Sequence, residues 1–461
     1  MALKGTTLVE LTDVKTGQVE RFEDTNTLTD AIYKILKPYG YMKGQGAHYN
    51  VSNFAASFMG GIILFDGEID DVNPPLFAPS DVSAVGYAAY NHTNATTDTA
   101  LGSWNSTETV VNNEERYLKL VYDFATSQAN GTIKCACLTH PDAAIYTMYG
   151  SPKSVQDNTE NTNALYTYPN PGLSAIRSGS EFSGTSFSMG AEHPFLIDQD
   201  EDIVYYFTMP STNSIRIIKR RGNILSIPAA VNHKSHMDIV QQFDIELAGA
   251  VSVAYVARNY DFSTQKLYLC CSGSSSIPAG GSFHVVEVDL ENRTASVVLV
   301  QNTSGVALRS SDNLFAYVHH ELVYMIGNAS PNNTKAFTYR LDVKSWKVLD
   351  GNLSSSNCRP VLGLNGNVFY YHFYNATVSS SDRWYLNIAN GEQNVIKRPG
   401  ATSLLLEDPN WIPFRDGLHF GVTSQNIVFP KNYLATVNNL TQPIVKTEDK
   451  TMKITYTIQE V

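Results

Sequence analysis

Between Leu267 and Lys397 apolar and polar positions recur as three similar units, each a strand-like run, a polar loop, a second run, a tight turn and a third run. The first unit reads KLYLCC, FHVVEVDL and ASVVLV; the second reads ELVYMIG, AFTYRLDV and SWKVL; the third reads NVFYYHF, RWYLNI and QNVIK. Their first runs begin at Leu267, Leu322 and Val368, a period of roughly 45 to 55 residues, in the range of propeller blades. Blades stack radially and leave only short edges, so the repeat predicts a rigid disc and in itself no catalysis. HPFLID, IVYYFTM and SIRIIKRR, from His193 to Arg221, form a further unit, and LHFGVT with NIVFP forms a less regular closing one. With another blade from residues near Thr139 to Met148, the expected number is about five to seven.

Outside this region the pattern changes. LVELTDV and QVERF flank Lys15-Thr16-Gly17, a hairpin whose glycine supplies positive φ at the turn. A helix is predicted next, capped by Thr27, with Leu28, Ile32, Ile35 and Leu36 on one face and Pro38 as its stop. Gly61 to Phe65, Tyr117 to Phe124 and Thr132 to His140 read as strands, with Asn130-Gly131 as a turn and a loop-rich excursion over 72–113. Thr451 to Gln459 alternates strictly, so it is expected to return to the N-terminal sheet. The fold class is therefore mainly β: a β-propeller-like domain, residues 141–431, inserted in a small β-rich terminal domain, residues 1–140 plus 432–461, carrying one helix.

Acidic residues outnumber basic ones by 44 to 33, a net charge of -11. That balance speaks against nucleic acid, whose affinity rests on neutralising phosphates. The longest basic run, Lys219-Arg220-Arg221, closes a strand and reads as a solvated strand end. No run reaches the ~18 apolar residues of a membrane span, and the opening MALKGTTLVELT has no apolar signal core. The five cysteines have no metal-ligand spacing. Cys135 and Cys137 share one strand face, while the adjacent Cys270 and Cys271 point to opposite faces; free thiols in a reducing compartment are expected.

Candidate chemistry is sparse. Asp198, Asp200 and Asp202 alternate in IDQDED, but Ile203 and Met209 stand where a calcium loop needs Gly and Glu, so a turn is the better reading. His319-His320-Glu321 lacks the helical spacing of a zinc protease, and adjacent strand histidines face opposite ways. Nucleophile elbow, Walker and dinucleotide motifs are missing, so neither enzyme activity, metal nor cofactor is expected. What remains is recognition through aromatics, which offer a flat apolar face with a polar edge. Tyr205-Tyr206-Phe207, Phe369-Tyr370-Tyr371 and Trp384-Tyr385 belong mostly to the core by alternation, whereas Tyr374 and Trp411, at strand ends, are the candidate surface-recognition residues.

The opening MALKGTTLVELTDVKTGQVERFEDTNTLTDAI, the segment YDFATSQANGTIKCACLTH and the ending NNLTQPIVKTEDKTMKITYTIQEV resemble structural proteins of tailed bacteriophages and prophages of Gram-positive bacteria. The resemblance covers about a third of the chain. It implies a virion component of the tail, baseplate or neck, assembled in the host cytoplasm. It also implies a homo-oligomer, by analogy a trimer, with the middle domain presented outward to other virion proteins or to a host cell-surface glycan or protein. A purely structural neck, collar or capsid-associated fibre, and a propeller-type polysaccharide depolymerase holding two close carboxylates, are the alternatives.

Overall fold

Strand after strand of this chain is apolar enough to be buried between neighbours, and the computed structural model is almost wholly β. It describes residues 3–32, 34, 58–79, 81–95, 97–112, 114–115, 117–141, 143, 165–169, 187–222, 237–310, 316–330, 333–353, 358–364, 367–372, 383–387, 393–396, 412–422 and 426–460. The chain divides into two compact units, Met1–Tyr166 with Pro430–Val461, and Thr167–Phe429.

The first unit is one strongly wound sheet. Leu3–Asp13 and Val19–Leu28 form the expected hairpin, with Gly17 at φ 70° in its turn. Lys450–Glu460 runs antiparallel to the first strand from Leu3↔Glu460 to Asp13↔Lys450, and on its other side pairs with Tyr117–Phe124. Its alternation decides which side chains are inside: Met452, Ile454, Tyr456 and Ile458 are buried, and the residues between them are partly exposed. Gly61–Phe65, Ala84–Ala89, Gly131–Thr139 and Thr436–Lys446 extend the sheet. The far ends of this path then meet. Tyr87 bridges Leu101 in parallel, receives the Gly102 N–H at 2.8 Å and donates its own N–H to Ala100 at 2.9 Å, so the sheet is a nearly closed barrel. Closure needs a glycine at 102, because a Cβ there would sit 2.6 Å from the Phe124 ring.

Two expectations change here. Thr27 and Leu28 lie in the second strand, paired with Val437 and Thr436. Helical backbone starts at Asp30, and Thr29 supplies the cap, its hydroxyl accepting the Ala31 N–H at 3.2 Å. The strand outlasts the helix-like pattern because Leu28 gains cross-strand pairing before the chain can turn. Ile35, Leu36 and Pro38 lie outside the described residues. The Gly131–Thr139 strand pairs with Gly61–Phe65 and Thr436–Lys446, so residues up to Thr139 belong to the barrel and not to an extra blade. Residues 144–148 lie outside the described set.

The second unit is propeller-like. Among the described residues it carries five sheets. Blade one is His193–Asp198, Ile203–Ser211, Ser214–Arg221 and Asp238–Glu246. Blade two is Tyr255–Asp261, Lys266–Ser272, Ser282–Asp289 and Thr294–Gln301. Blade three is Ala316–His319, Leu322–Ser330, Asn333–Arg340 and Ser345–Leu353, with Ser276–Ile277 and Ala307–Arg309 added beside it. Blade four is Cys358–Leu364, Asn367–His372, Arg383–Asn387 and Gln393–Ile396. Blade five is Ile412–Pro413, Phe420–Val422, Asn426–Pro430 and, as its fourth strand, Leu165–Pro169. An early strand thus completes the last sheet as its outermost strand.

First strands of neighbouring blades are joined directly. Ile197 bridges Phe414 in parallel, and the Arg415 N–H donates to Ile197 at 2.7 Å. The Arg258 guanidinium donates to the Pro194 carbonyl at 3.0 Å. Asn259 closes a pair of hydrogen bonds on Val318, giving its amide to the carbonyl at 2.7 Å and accepting the N–H at 2.9 Å. Between blades the filling is apolar. Phe207, Ile217, Leu269 and Val286 pack in the seam of blades one and two, and Phe283, Val285, Met325 and Phe337 in that of blades two and three. The adjacent cysteines divide between these seams, Cys271 facing the first and Cys270 the second. Among the described residues no helix is long and apolar enough to cross a membrane.

Candidate functional site

The turns that follow the first strands of blades one, two and five share one chemical device. Asp198 accepts the N–H groups of Asp200 and Glu201 at 3.1 and 3.2 Å, and Asp416 those of Leu418 and His419 at 2.9 Å each. Asp261 accepts the Ser263 N–H at 3.2 Å and the Ser263 hydroxyl at 2.8 Å. An aspartate at a strand end captures the donors that the turning backbone leaves free. Asp198, Asp261 and Asp416 are all buried, so each carboxylate also needs a second partner. Asp198 takes the Arg415 guanidinium at 2.7 Å, Asp416 the His419 ring at 2.6 Å, and Asp261 the His319 ring at 3.2 Å.

Asp261 is the most densely bonded of the three. Its second oxygen accepts the His320 N–H at 3.0 Å and the Thr264 hydroxyl at 3.1 Å. Burial alone would raise this carboxyl, but the His319 and Ser263 hydrogen bonds outweigh it and hold it at about 2. Asp416 lies lower than usual for the same reason: burial opposes ionisation and His419 overcomes it. Both are ionised acceptors at neutral pH, with no proton to give to a leaving group.

The flagged sequence motifs resolve accordingly. Of the alternating aspartates, Asp198 is the buried turn anchor and Asp202 a turn residue at φ 54°. His319 and His320 form the turn of blade three, His320 at φ 51° and accepting or donating across 3.3 Å with the Ser263 hydroxyl. Among the described residues no group of three or more His, Cys, Asp or Glu is placed to hold a metal ion. Tyr205, Tyr206 and Phe207 are core, as alternation implied. Tyr374 and Trp411 lie outside the described residues.

Of the basic run, Arg221 is the solvated strand end, its side chain 55% exposed, while Lys219 and Arg220 are engaged. Arg220 is clamped by Glu192 at 2.8 and 2.9 Å and donates to the Met237 carbonyl at 3.0 Å, while Lys219 lies 5.0 Å from the centre of the Tyr205 ring. Glu192 is 28 residues upstream of Arg220, too far for any local pattern to reveal the pair.

A cleft of about 800 Å³ takes lining from blades two and three, including Lys266, Tyr268, Glu287, His320, Arg340 and Lys347. Glu287 ties its near wall together, accepting Lys266 at 2.6 Å and the Tyr268 hydroxyl at 3.1 Å. Arg340 is engaged by Asp342 across 2.5 Å. The cleft therefore offers hydroxyls, both signs of charge and an aromatic ring within one concavity, donors and acceptors suited to a hydroxyl-rich ligand. Of these residues His320 stood out in the sequence, as part of His319-His320-Glu321, and the others did not, although Lys266 and Tyr268 alternate along one strand and so share a face.

No protein-family model matches the chain, and no curated protein does. Solved structures give distant likenesses. A GH43 glycoside hydrolase engineered to show both endo-xylanase and exo-arabinofuranosidase activity aligns at 10% identity and TM-score 0.26, over 62% of this chain and 54% of that one. An uncharacterised protein from Listeria monocytogenes EGD-e aligns at 8% identity and TM-score 0.26, over 45% of this chain and 54% of its own. TolB from Acinetobacter baumannii aligns at 12% identity and TM-score 0.26, over 73% of this chain and 80% of that one. The chain spans about half the length of the first two, 54% in each case. Likeness at this level carries no argument about activity.

Proposed function

We propose that the protein is a structural component of a bacteriophage virion, a homo-oligomer that docks through its barrel unit and presents its propeller to a host-surface glycan or protein, or to a neighbouring virion protein. The observation that carries the recognition half is the polar cleft of about 800 Å³ served by blades two and three. The virion half rests on the resemblance of the two chain ends and the YDFATSQANGTIKCACLTH segment to phage structural proteins. Recognition is favoured over hydrolysis because Asp198, Asp261 and Asp416 are each consumed by turn backbone and a fixed partner.

The test is a binding screen of the purified protein against intact Gram-positive cells and extracted wall glycans, with reducing sugar followed in the same tubes. Saturable binding without sugar release is the expected result, weakened in a Lys266→Met, Arg340→Met double variant of unchanged melting temperature. Sugar release would replace recognition by depolymerisation. If neither signal appeared, an assembly role as a neck, collar or capsid-associated fibre would take its place, and an electron-microscopy label at the head–tail junction would locate it.

A further inference from the structure

Three cations gather where the seam of blades one and two reaches the turns. Ile215, Ile217 and Lys219 alternate along one strand, so Lys219 ends the face that packs on blade two, directly across from its strand partner Tyr205. Arg293 comes from the last turn of blade two, with its guanidinium carbon 4.8 Å from the centre of the Phe243 ring. Arg415 comes from blade five; its side chain is 56% exposed and, among the described residues, is bonded through Nη1 to Asp198 at 2.7 Å.

The cluster is short of negative charge. Among the described residues neither Lys219 nor Arg293 pairs with a carboxylate, and both rest on aromatic rings instead. Glu201, the next acid, is claimed by Arg221 at 3.7 Å. Among the described residues Asp198, through Arg415, is the carboxylate in salt-bridge contact with this cluster. Lost hydration, and then the charges of Arg415 and Arg293, push the Lys219 ammonium below its ordinary range. The chain carries a net charge of -11, yet among the described residues Lys219 and Arg293 have no carboxylate in salt-bridge contact. Uncompensated like charges in a half-dry seam cost folding energy unless something arrives to neutralise them.

Beside the cations lies a line of rings. Tyr205 and Phe195 have centroids 6.0 Å apart, Phe195 and Tyr260 6.4 Å, and Tyr260 and Phe262 5.1 Å. Tyr260 and Phe262 are only half-buried, Phe262 within the turn itself. Flat apolar faces next to unsatisfied cations match a sugar ring that bears an acid.

We infer that the mouth of the seam between blades one and two is a binding site for an acidic saccharide, its carboxylate or phosphate held by Lys219, Arg293 and Arg415 and its ring laid on Tyr260 and Phe262. The site is separate from the cleft of blades two and three and does not depend on the virion reading, since neither cells nor particles enter its test.

The experiment is calorimetric titration of the full chain with glucuronate, glucose 6-phosphate, glucose and inorganic phosphate. At least one sugar acid is expected to bind about tenfold or more tightly than glucose, and which one binds better separates the carboxylate from the phosphate source. Lys219→Met and Arg293→Met keep the apolar stems and should each weaken that binding about tenfold with unchanged melting temperatures. Phe262→Ala should weaken the sugar acid but not phosphate. Glucose binding as tightly as the acids, no binding by either acid, or full affinity in both cation variants would overturn the site. Phosphate binding as tightly as glucose 6-phosphate would overturn its saccharide character.

Discussion

Asp261→Asn tests the idea that inner-strand carboxylates hold the propeller turns. The parent carboxylate serves Ser263, Thr264, His319 and the His320 N–H, and links blade two to blade three. Holding a carboxyl at about 2 instead of the ordinary 3.8 is worth ~2.5 kcal/mol at ~1.4 kcal/mol per pH unit. Because the folded-state value is depressed, this stability is complete above pH ~4 and drains away as pH falls towards 2. Asparagine keeps the shape but has one acceptor oxygen and turns two donor hydrogens toward groups that also donate. With buried donors left unpaired, the loss at pH 7 is estimated at ~2–4 kcal/mol. For a unit of this size that lowers its melting temperature by ~5–12 °C. Differential scanning calorimetry of parent and variant at pH 7, 4 and 2.5 reads both effects. The reasoning fails if the variant melts within ~1 °C of the parent at pH 7. It also fails if the two lose stability equally between pH 4 and 2.5, since the variant has no group there to titrate.

Three further outcomes follow from particular contacts. Burial pushes the Lys446 ammonium down to about 8, where it is caged by the Ala125 and Thr126 carbonyls and the Asn130 side chain at 2.9, 3.2 and 2.9 Å. The unfolded chain then binds more protons than the folded one between pH ~8 and ~10.5, so parent stability should rise across that window and Lys446→Met should abolish the rise in urea titrations. Gly102→Ala places a Cβ 2.6 Å from the Phe124 ring at the barrel seam and should cost ~1–3 kcal/mol by the same measurement. Asn259→Ala removes both hydrogen bonds to Val318 and strands a backbone donor and acceptor, for a loss of ~2–4 kcal/mol; a loss below ~0.5 kcal/mol would show that the apolar seam alone holds blades two and three in register.

What the sequence determined by itself follows from burial. The second strand of a blade is covered on both faces, and Ile203 to Met209 is buried without interruption, so it stands out as a continuous apolar run. Leu267 and Leu322 mark such strands in blades two and three, and Val368 begins the corresponding run in blade four. The C-terminal strand was equally legible, because one wet face and one dry face impose a period of two on Met452, Ile454, Tyr456 and Ile458. The outer strand Asp238–Glu246 was not, since it is largely exposed at the rim and reads as a polar loop. Nor was the first strand Tyr255–Asp261, whose Arg258, Asn259 and Asp261 spend their polarity on Pro194, Val318 and His319. Thr27 and Leu28 fitted a helix face, but pairing with Val437 and Thr436 kept them in a strand. The candidate sites depended on tertiary structure alone. Asp261 meets His319 across 58 positions and Asp198 meets Arg415 across 217, and no local spacing encodes a partner that only ring closure brings within reach. Periodicity is a property of the strand and can be read along it; the pairing of charges between blades is a property of the closed disc.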